Sequence, residues 1–407
     1  MRARTRRLSE VMAPPATVPD LNDFARGDGL LFVRDGVGVA GRGEAVRVPI
    51  DAAPSFLASF DHDSSVEGAH PLAIGCLPFL PASAADLIVP SVTLVKRRDH
   101  EPWVTTVAAD AAALDALDVN AAFTPADDPV PVATAYTLAP GGPVEGYLDA
   151  VATARDAVRR GELTKAVIAR PVTVVADRPI DVHAVLRRLK ASFGSSYRYS
   201  VEGLIGASPE LLVEIDGAIV RAHPLAGTAP RTGDVDNDAR LADALIRSTK
   251  NQVEHRIVID VVHDTLLPWA SYLDWEPEPS IVTVANVQHL GTRMEGMLSQ
   301  PGPPVTELVR ALSPTPAVGG HPRDDALALI EEVEGFVRGR YAGAVGWVDA
   351  AGDGSWAVAL RCAEISADGM TARLVAGGGI VADSEPLAEL AETQAKFQAM
   401  LSAIVRP

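Results

Sequence analysis

Cysteine is nearly absent, with Cys76 and Cys362 the only two in 407 residues. Two thiols cannot build a disulfide framework and offer no metal-ligand spacing, so a reduced, cytoplasmic protein is the simplest fit. No run of eighteen or more apolar residues occurs, so no membrane span is indicated. Positive charge is also scarce: 36 Lys and Arg stand against 53 Asp and Glu, a formal net charge of -17. That balance argues against nucleic acid or an anionic membrane as partner, since both select for basic patches. What is there is an ordinary globular composition, 47% hydrophobic and 22% charged, with ample core for one large domain or two to three small ones.

The opening MRARTRRLSE is basic and lacks the apolar core of a secretory signal. Residues 1–20 read as a disordered leader. Residues 29–50 mix short apolar runs with Gly and charge, the pattern of a hairpin or meander, and residues 73–81, 91–97 and 104–108 read as strands. The proline-rich residues 123–143 are the one convincing linker. After it, Val144, Leu148, Val151, Ala154 and Val158 keep helical spacing up to a stop at Gly161, and Lys165 begins a strand. Helices are expected over 180–193, 239–267 (one or two), 305–312, 324–340 and 386–404. Strands are expected over 341–348, 356–365 and 370–375, the last leading into a triple glycine. Such hairpin-joined strands mixed with helices argue a largely antiparallel α/β architecture, not a doubly wound parallel sheet.

Residues 206–231, GASPELLVEIDGAIVRAHPLAGTAPR, read as two short strands and two tight turns, at Asp216-Gly217 and at Gly227-Thr228. Glu210 stands at the mouth of the first strand. A lone Glu there is ordinarily a solvated strand end, although burial would demand a partner. In the closing helix Glu389, Glu392 and Lys396 share one face beside an apolar stripe of Leu390, Phe397 and Leu401. Alone, that face reads as solvated charge. His255 and His263 lack the spacing of a zinc site.

GASPELL followed by PLAGTAPR resembles the chorismate-utilising enzymes, the isochorismate, salicylate, anthranilate and aminodeoxychorismate synthases. The resemblance recurs in LTKAVIAR from Leu163, KNQVEHRIV from Lys250, VQHLGTRMEG from Val287, LSPTPAVGGHP from Leu312, GRYAGAVGW from Gly339, ALRCAEI from Ala359 and AGGGIVADSEPLAELAETQAKF from Ala376. It implies a layered αββα sandwich whose two halves enclose one site, with residues 21–140 as the N-terminal half and 144–407 as the chorismate-binding catalytic region. It implies Lys165 as the base that activates water and Glu210 as the acid that protonates the departing ring hydroxyl. It implies Glu254, Glu389 and Glu392 as the holders of Mg²⁺, an ion that takes hard oxygens and few protein ligands. Arg361 would clamp the enolpyruvyl carboxylate, assisted by Tyr341 and Lys396, with Thr228, His289 and the backbone of Gly377, Gly378 and Gly379 also at the substrate. Relatives are often monomers, and their products feed menaquinone, siderophores or salicylate.

Within the family, Lys165 stands where water-using members carry lysine, and Ala226 of PLAGT replaces the nucleophilic lysine of one amination class. The strings look most like isochorismate synthase. Salicylate synthase, which then eliminates pyruvate, is the alternative, and a non-catalytic chorismate-binding subunit is the rival from another class.

Overall fold

The strand Leu30–Arg34 shows how the layers form. Leu30 and Phe32 enter one hydrophobic core, Leu31 and Val33 another, and all four are buried. A strand covered on both faces has no polar side to present, which is why such stretches read as unbroken apolar runs. The computed structural model describes residues 1–12, 18–124, 132–284 and 286–406. Among them every strand pairing is antiparallel except that of Arg2–Arg7 with Asp61–Ser64.

The larger sheet has 13 strands, twelve in one path and Gly320–His321 paired off it with Lys165–Ala176. It runs from Tyr136–Pro140 through Lys165–Ala176, Thr371–Ile380, Cys362–Ile365, Leu204–Ser208 and Tyr197–Val201. It continues through Leu30–Arg34, Val37–Arg42, Val92–Lys96, Trp103–Ala108, Arg2–Arg7 and Asp61–Ser64. A second sheet of nine strands runs from Ala270–Trp275 through Met294–Leu298, Ile219–His223, Leu211–Asp216, Gly354–Val358 and Ala344–Asp349 to Leu72–Leu77, Asp86–Val89 and Val46–Pro49. The sheets share one core, while helices Leu21–Ala25, Val182–Ser192 and Pro386–Val405 close a second core over the outer face of the larger sheet. Helices Ala53–Ala58 and Val305–Leu312 pack on the smaller one. The layers are therefore αββα, as the resemblance implied. Residues 21–140 and 144–407 are joined edge to edge within both sheets, through Leu30–Arg34 beside Tyr197–Val201 and Leu72–Leu77 beside Ala344–Asp349.

Several expectations are corrected. Residues 1–20 are not a disordered leader: Arg2–Arg7 is a strand of the larger sheet and Leu8–Val11 a short helix, with 13–17 outside the described residues. Ala3 and Thr5 point into the core, and the alternating arginines face acids, Arg2 to Asp61 at 2.6 Å, Arg4 to Asp115 at 2.8 Å and Arg6 to Asp63 at 2.5 Å. The expected linker 123–143 holds a strand, Tyr136–Pro140, at the sheet edge, where proline costs no ladder bond; its residues 125–131 lie outside the described ones. Residues 239–267 form two helices, Val235–Arg247 and Thr249–Leu266. Ser248 separates them because its extended backbone and hydroxyl cap the second. The helix expected over 324–340 ends at Val333.

Candidate active site

Residues 356–365 are two strands, not one. Gly354–Val358 belongs to the smaller sheet and Cys362–Ile365 to the larger, and Arg361 lies in the step between them. The chain makes the same passage between Leu204–Ser208 and Leu211–Asp216, with Glu210 in the step. The two crossings are tied together: Val358 N–H donates to the Glu210 carbonyl and Ala207 N–H to the Arg361 carbonyl, each at 3.2 Å. Residues in such a step leave the cross-strand ladder, so their side chains are free to enter the open end of the sandwich.

Glu210 is not a solvated strand end, being only 2% exposed. Burial pushes its carboxyl up to about 8, opposed in part by the Leu225 N–H and the charges of Lys165, Arg361 and Lys396. At neutral pH it carries a proton. Arg361 holds a left-handed backbone (φ 51°), a strained position for a residue with a Cβ. Among the described residues its guanidinium forms no ion pair and its Nε has no hydrogen-bond partner, while Nη2 donates to His289 Nε2 at 3.1 Å. A half-buried cation with donors to spare is a receptor for an anion.

The guanidinium can only donate, so His289 Nε2 accepts and the ring proton sits on Nδ1. Nδ1 in turn lies 3.1 Å from the Gly227 carbonyl and 3.2 Å from Thr228 Oγ1. Burial, then the charges of Arg361 and Lys396, hold the His289 pKa well below its usual value. Gly227-Thr228 is not a turn. Leu225–Pro230 is a strand pairing with Val287–Gly291, and its register slips between Ala226 and Thr228. Gly227 (φ 73°) makes that bulge, which turns its carbonyl toward His289.

The acidic end comes from two helices. On Pro386–Val405 the buried stripe is Glu389, Thr393, Phe397, Met400 and Ile404, so Glu389, 5% exposed, continues the apolar face and is not solvated charge. Burial raises its pKa first and repulsion from Glu392 second. Glu254 is buried on Thr249–Leu266. Each carboxylate meets a lysine: Lys165 to Glu254 at 3.0 Å, Lys250 to Glu389 at 3.6 Å and Lys396 to Glu392 at 2.5 Å. Lys396 also donates to the Gly377 carbonyl at 2.9 Å.

The triple glycine is not a tight turn either. Gly377, Gly378 and Gly379 lie inside the strand Thr371–Ile380, opposite Ala169, Ile168 and Val167. A Cβ on Gly378 would stand 2.9 Å from Glu389 Oε2, and one on Gly379 would stand 2.4 Å from Glu254 Oε1 and 2.8 Å from Lys165 Cε. Glycine is there because acid side chains press on both faces of the strand. This cradle of hard oxygens suits a divalent cation in chemistry. The three carboxylates do not yet share a point, for among the described residues no three His, Cys, Asp or Glu groups stand close enough to hold an ion.

Of the anticipated residues, Glu210, Thr228, Glu254, His289, Tyr341, Arg361, Gly377, Gly379, Glu389, Glu392 and Lys396 line one cleft. Lys165, 1% exposed, stands behind its wall, and Gly378 turns toward the helix. Ala226 is also in the wall, with no nucleophile in its place. Sequence reasoning missed Lys250 and Asn251, both in the wall. A signal existed: Lys250 precedes Glu254 by four residues on one helix, the spacing of Glu392 and Lys396.

Residues 60–405 match the family described as chorismate binding enzyme. A Mycobacterium tuberculosis protein provisionally named isochorismate synthase MenF is 40% identical over 350 residues, 83% of this chain and 87% of that one. Isochorismate synthase DhbC of Bacillus subtilis is 36% identical over 345 residues, 82% of this chain and 81% of its own. The crystal structure of a Bacillus anthracis protein, provisionally a 2,3-dihydroxybenzoate-specific isochorismate synthase, DhbC, superposes with a TM-score of 0.78 at 31% identity, over 94% of this chain and 98% of that one. The chain belongs to the chorismate-binding enzymes.

Proposed function

We propose that this chain is an isochorismate synthase, which adds water to chorismate at the ring carbon beside the carboxylate-bearing carbon and expels the original ring hydroxyl. One observation carries the reading: a proton-bearing buried carboxyl, Glu210, faces the same cleft as the guanidinium of Arg361, which has no ion pair among the described residues, with Lys165 behind the wall against the lining residue Glu254 at 3.0 Å. Lys165, which must be a neutral amine for this step and is oriented by Glu254 at 3.0 Å, accepts a proton from the incoming water as its oxygen bonds to the ring. The ring double bonds shift, the C–O bond to the old hydroxyl breaks, and Glu210 delivers its proton so that water departs. Both groups then exchange protons with solvent and return to their starting states. General acid and base are worth ~10²–10⁴-fold each. Arg361, aimed by His289, holds the enolpyruvyl carboxylate, with Tyr341, Thr228 and Lys396 around it. Glu254, Glu389 and Glu392 would hold Mg²⁺, which when bound neutralises the ring carboxylate.

All these groups come from one chain, in keeping with a monomer, and two free buried thiols suit a reducing cytoplasm. No helix among the described residues is long and apolar enough to cross a membrane. The test is incubation with chorismate and Mg²⁺, with products identified by mass and NMR and an EDTA control. A chorismate–isochorismate mixture abolished by EDTA supports the reading. Salicylate with pyruvate would make it a salicylate synthase, and binding without conversion a chorismate-binding subunit.

A further inference from the structure

Three lysines stand one to each of three cleft glutamates, Glu254, Glu389 and Glu392, and two have other work: Lys165 is the base, and Lys396 is anchored on the Gly377 carbonyl. Lys250 has none. Its side chain is 36% exposed, its partner Glu389 only 6%, and it occupies the first turn of Thr249–Leu266. A cation there opposes the helix dipole, so helix stability does not explain it. Glu389 is desolvated and repelled by Glu392, and needs a counter-charge whenever no metal is present.

We propose that Lys250 is an internal stand-in for the divalent cation: it neutralises Glu389 in the empty cleft, and metal entry displaces its ammonium into the cleft to meet a carboxylate of the dianionic substrate. The inference rests on the metal reading above. A dication at coordination distance outcompetes an ammonium at 3.6 Å for one carboxylate. The flexible four-carbon stem lets the released charge swing. The pairing also accounts for carboxylates that do not converge as they stand, each being drawn to its own lysine. Metal and substrate are then coupled, and the coupling is reciprocal.

The experiment titrates Mn²⁺, by paramagnetic resonance, into the full chain without chorismate, comparing wild type, Lys250→Met and Lys250→Arg. Loss of the competing charge predicts that Lys250→Met binds Mn²⁺ about three- to tenfold tighter, while its KM for chorismate at saturating Mg²⁺ rises about tenfold. Lys250→Arg, which keeps the charge, stays within about twofold of wild type for Mn²⁺. A purely structural lysine would weaken both affinities together. Equal or weaker Mn²⁺ binding by a natively folded Lys250→Met, or an unchanged KM, overturns the stand-in role alone. A wild-type chain that takes up no Mn²⁺ overturns the metal reading itself, and the stand-in with it.

Discussion

Arg361 donates to His289 Nε2 at 3.1 Å, and that one hydrogen bond decides both the charge and the tautomer of the histidine. A protonated His289 would turn a donor toward the guanidinium. Its buried setting keeps the ring neutral, with Nδ1–H directed at the Gly227 carbonyl. In the proposed mechanism His289 therefore aims Arg361 and transfers no proton.

His289→Leu removes the acceptor and leaves a buried guanidinium N–H unpaired, at a cost of about 1–3 kcal/mol. The KM for chorismate should rise by roughly tenfold or more, with kcat less affected. Nitrogen NMR of labelled wild type should show the Nδ1–H tautomer unchanged from pH 8 to pH 5. A histidine that titrates in that range would contradict the assignment.

Glu210→Gln should fold and bind substrate while losing turnover by ~10²–10⁴-fold. Stability gives a second signature. The folded carboxyl, at about 8, keeps its proton where the unfolded one, near its ordinary value of 4.5, has released it. Between those values the native state binds more protons, so Glu210 makes stability fall as pH rises, by at most about 1.4 kcal/mol per unit. Urea unfolding of wild type and Glu210→Gln between pH 5 and pH 8 should show the variant free of this contribution, and relatively more stable at the upper end.

Glu389→Gln relieves a repelled, buried carboxylate and, if Glu389 holds Mg²⁺ as proposed, weakens that site at once. In EDTA its melting temperature should equal or exceed that of wild type. Millimolar Mg²⁺ should raise the wild-type melting temperature and leave the variant's nearly unchanged. Equal rises in both would remove Glu389 from the metal site.

Behind the cleft, Arg338 and Glu334 form a buried pair at 2.5 Å, and Arg338 also donates to the carbonyls of Val167 at 2.6 Å and Val318 at 2.8 Å. Both carbonyl-bearing residues line the cleft. Arg338→Met strands the Glu334 charge, and denaturant unfolding should show a loss of about 3–5 kcal/mol.

Much of this was legible in the chain. The spacing of Glu389, Glu392 and Lys396 placed three site groups on one helical face, and family strings marked Glu210, Arg361 and His289. Which strands change sheets was not legible, because an apolar run such as WAVALRCAEI looks the same whether it crosses a sheet boundary or not. Arg361 owes its position to that crossing. The triple glycine was ambiguous for a related reason: glycine marks turns and close approaches alike, and only the positions of Glu389 and Glu254 decide for the latter. Basic residues 2–7 looked unstructured because their neutralising partners, Asp61, Asp63 and Asp115, are distant in sequence.

The most direct measurement is turnover of chorismate with Mg²⁺ in H₂¹⁸O, read by mass spectrometry and NMR for wild type, Lys165→Ala and Glu210→Gln. Isochorismate carrying one solvent oxygen at the carbon beside the carboxylate-bearing carbon, formed by wild type and nearly lost in both variants, is the predicted result. Isochorismate without label, or undiminished formation by Lys165→Ala, would contradict the assignment of base and acid.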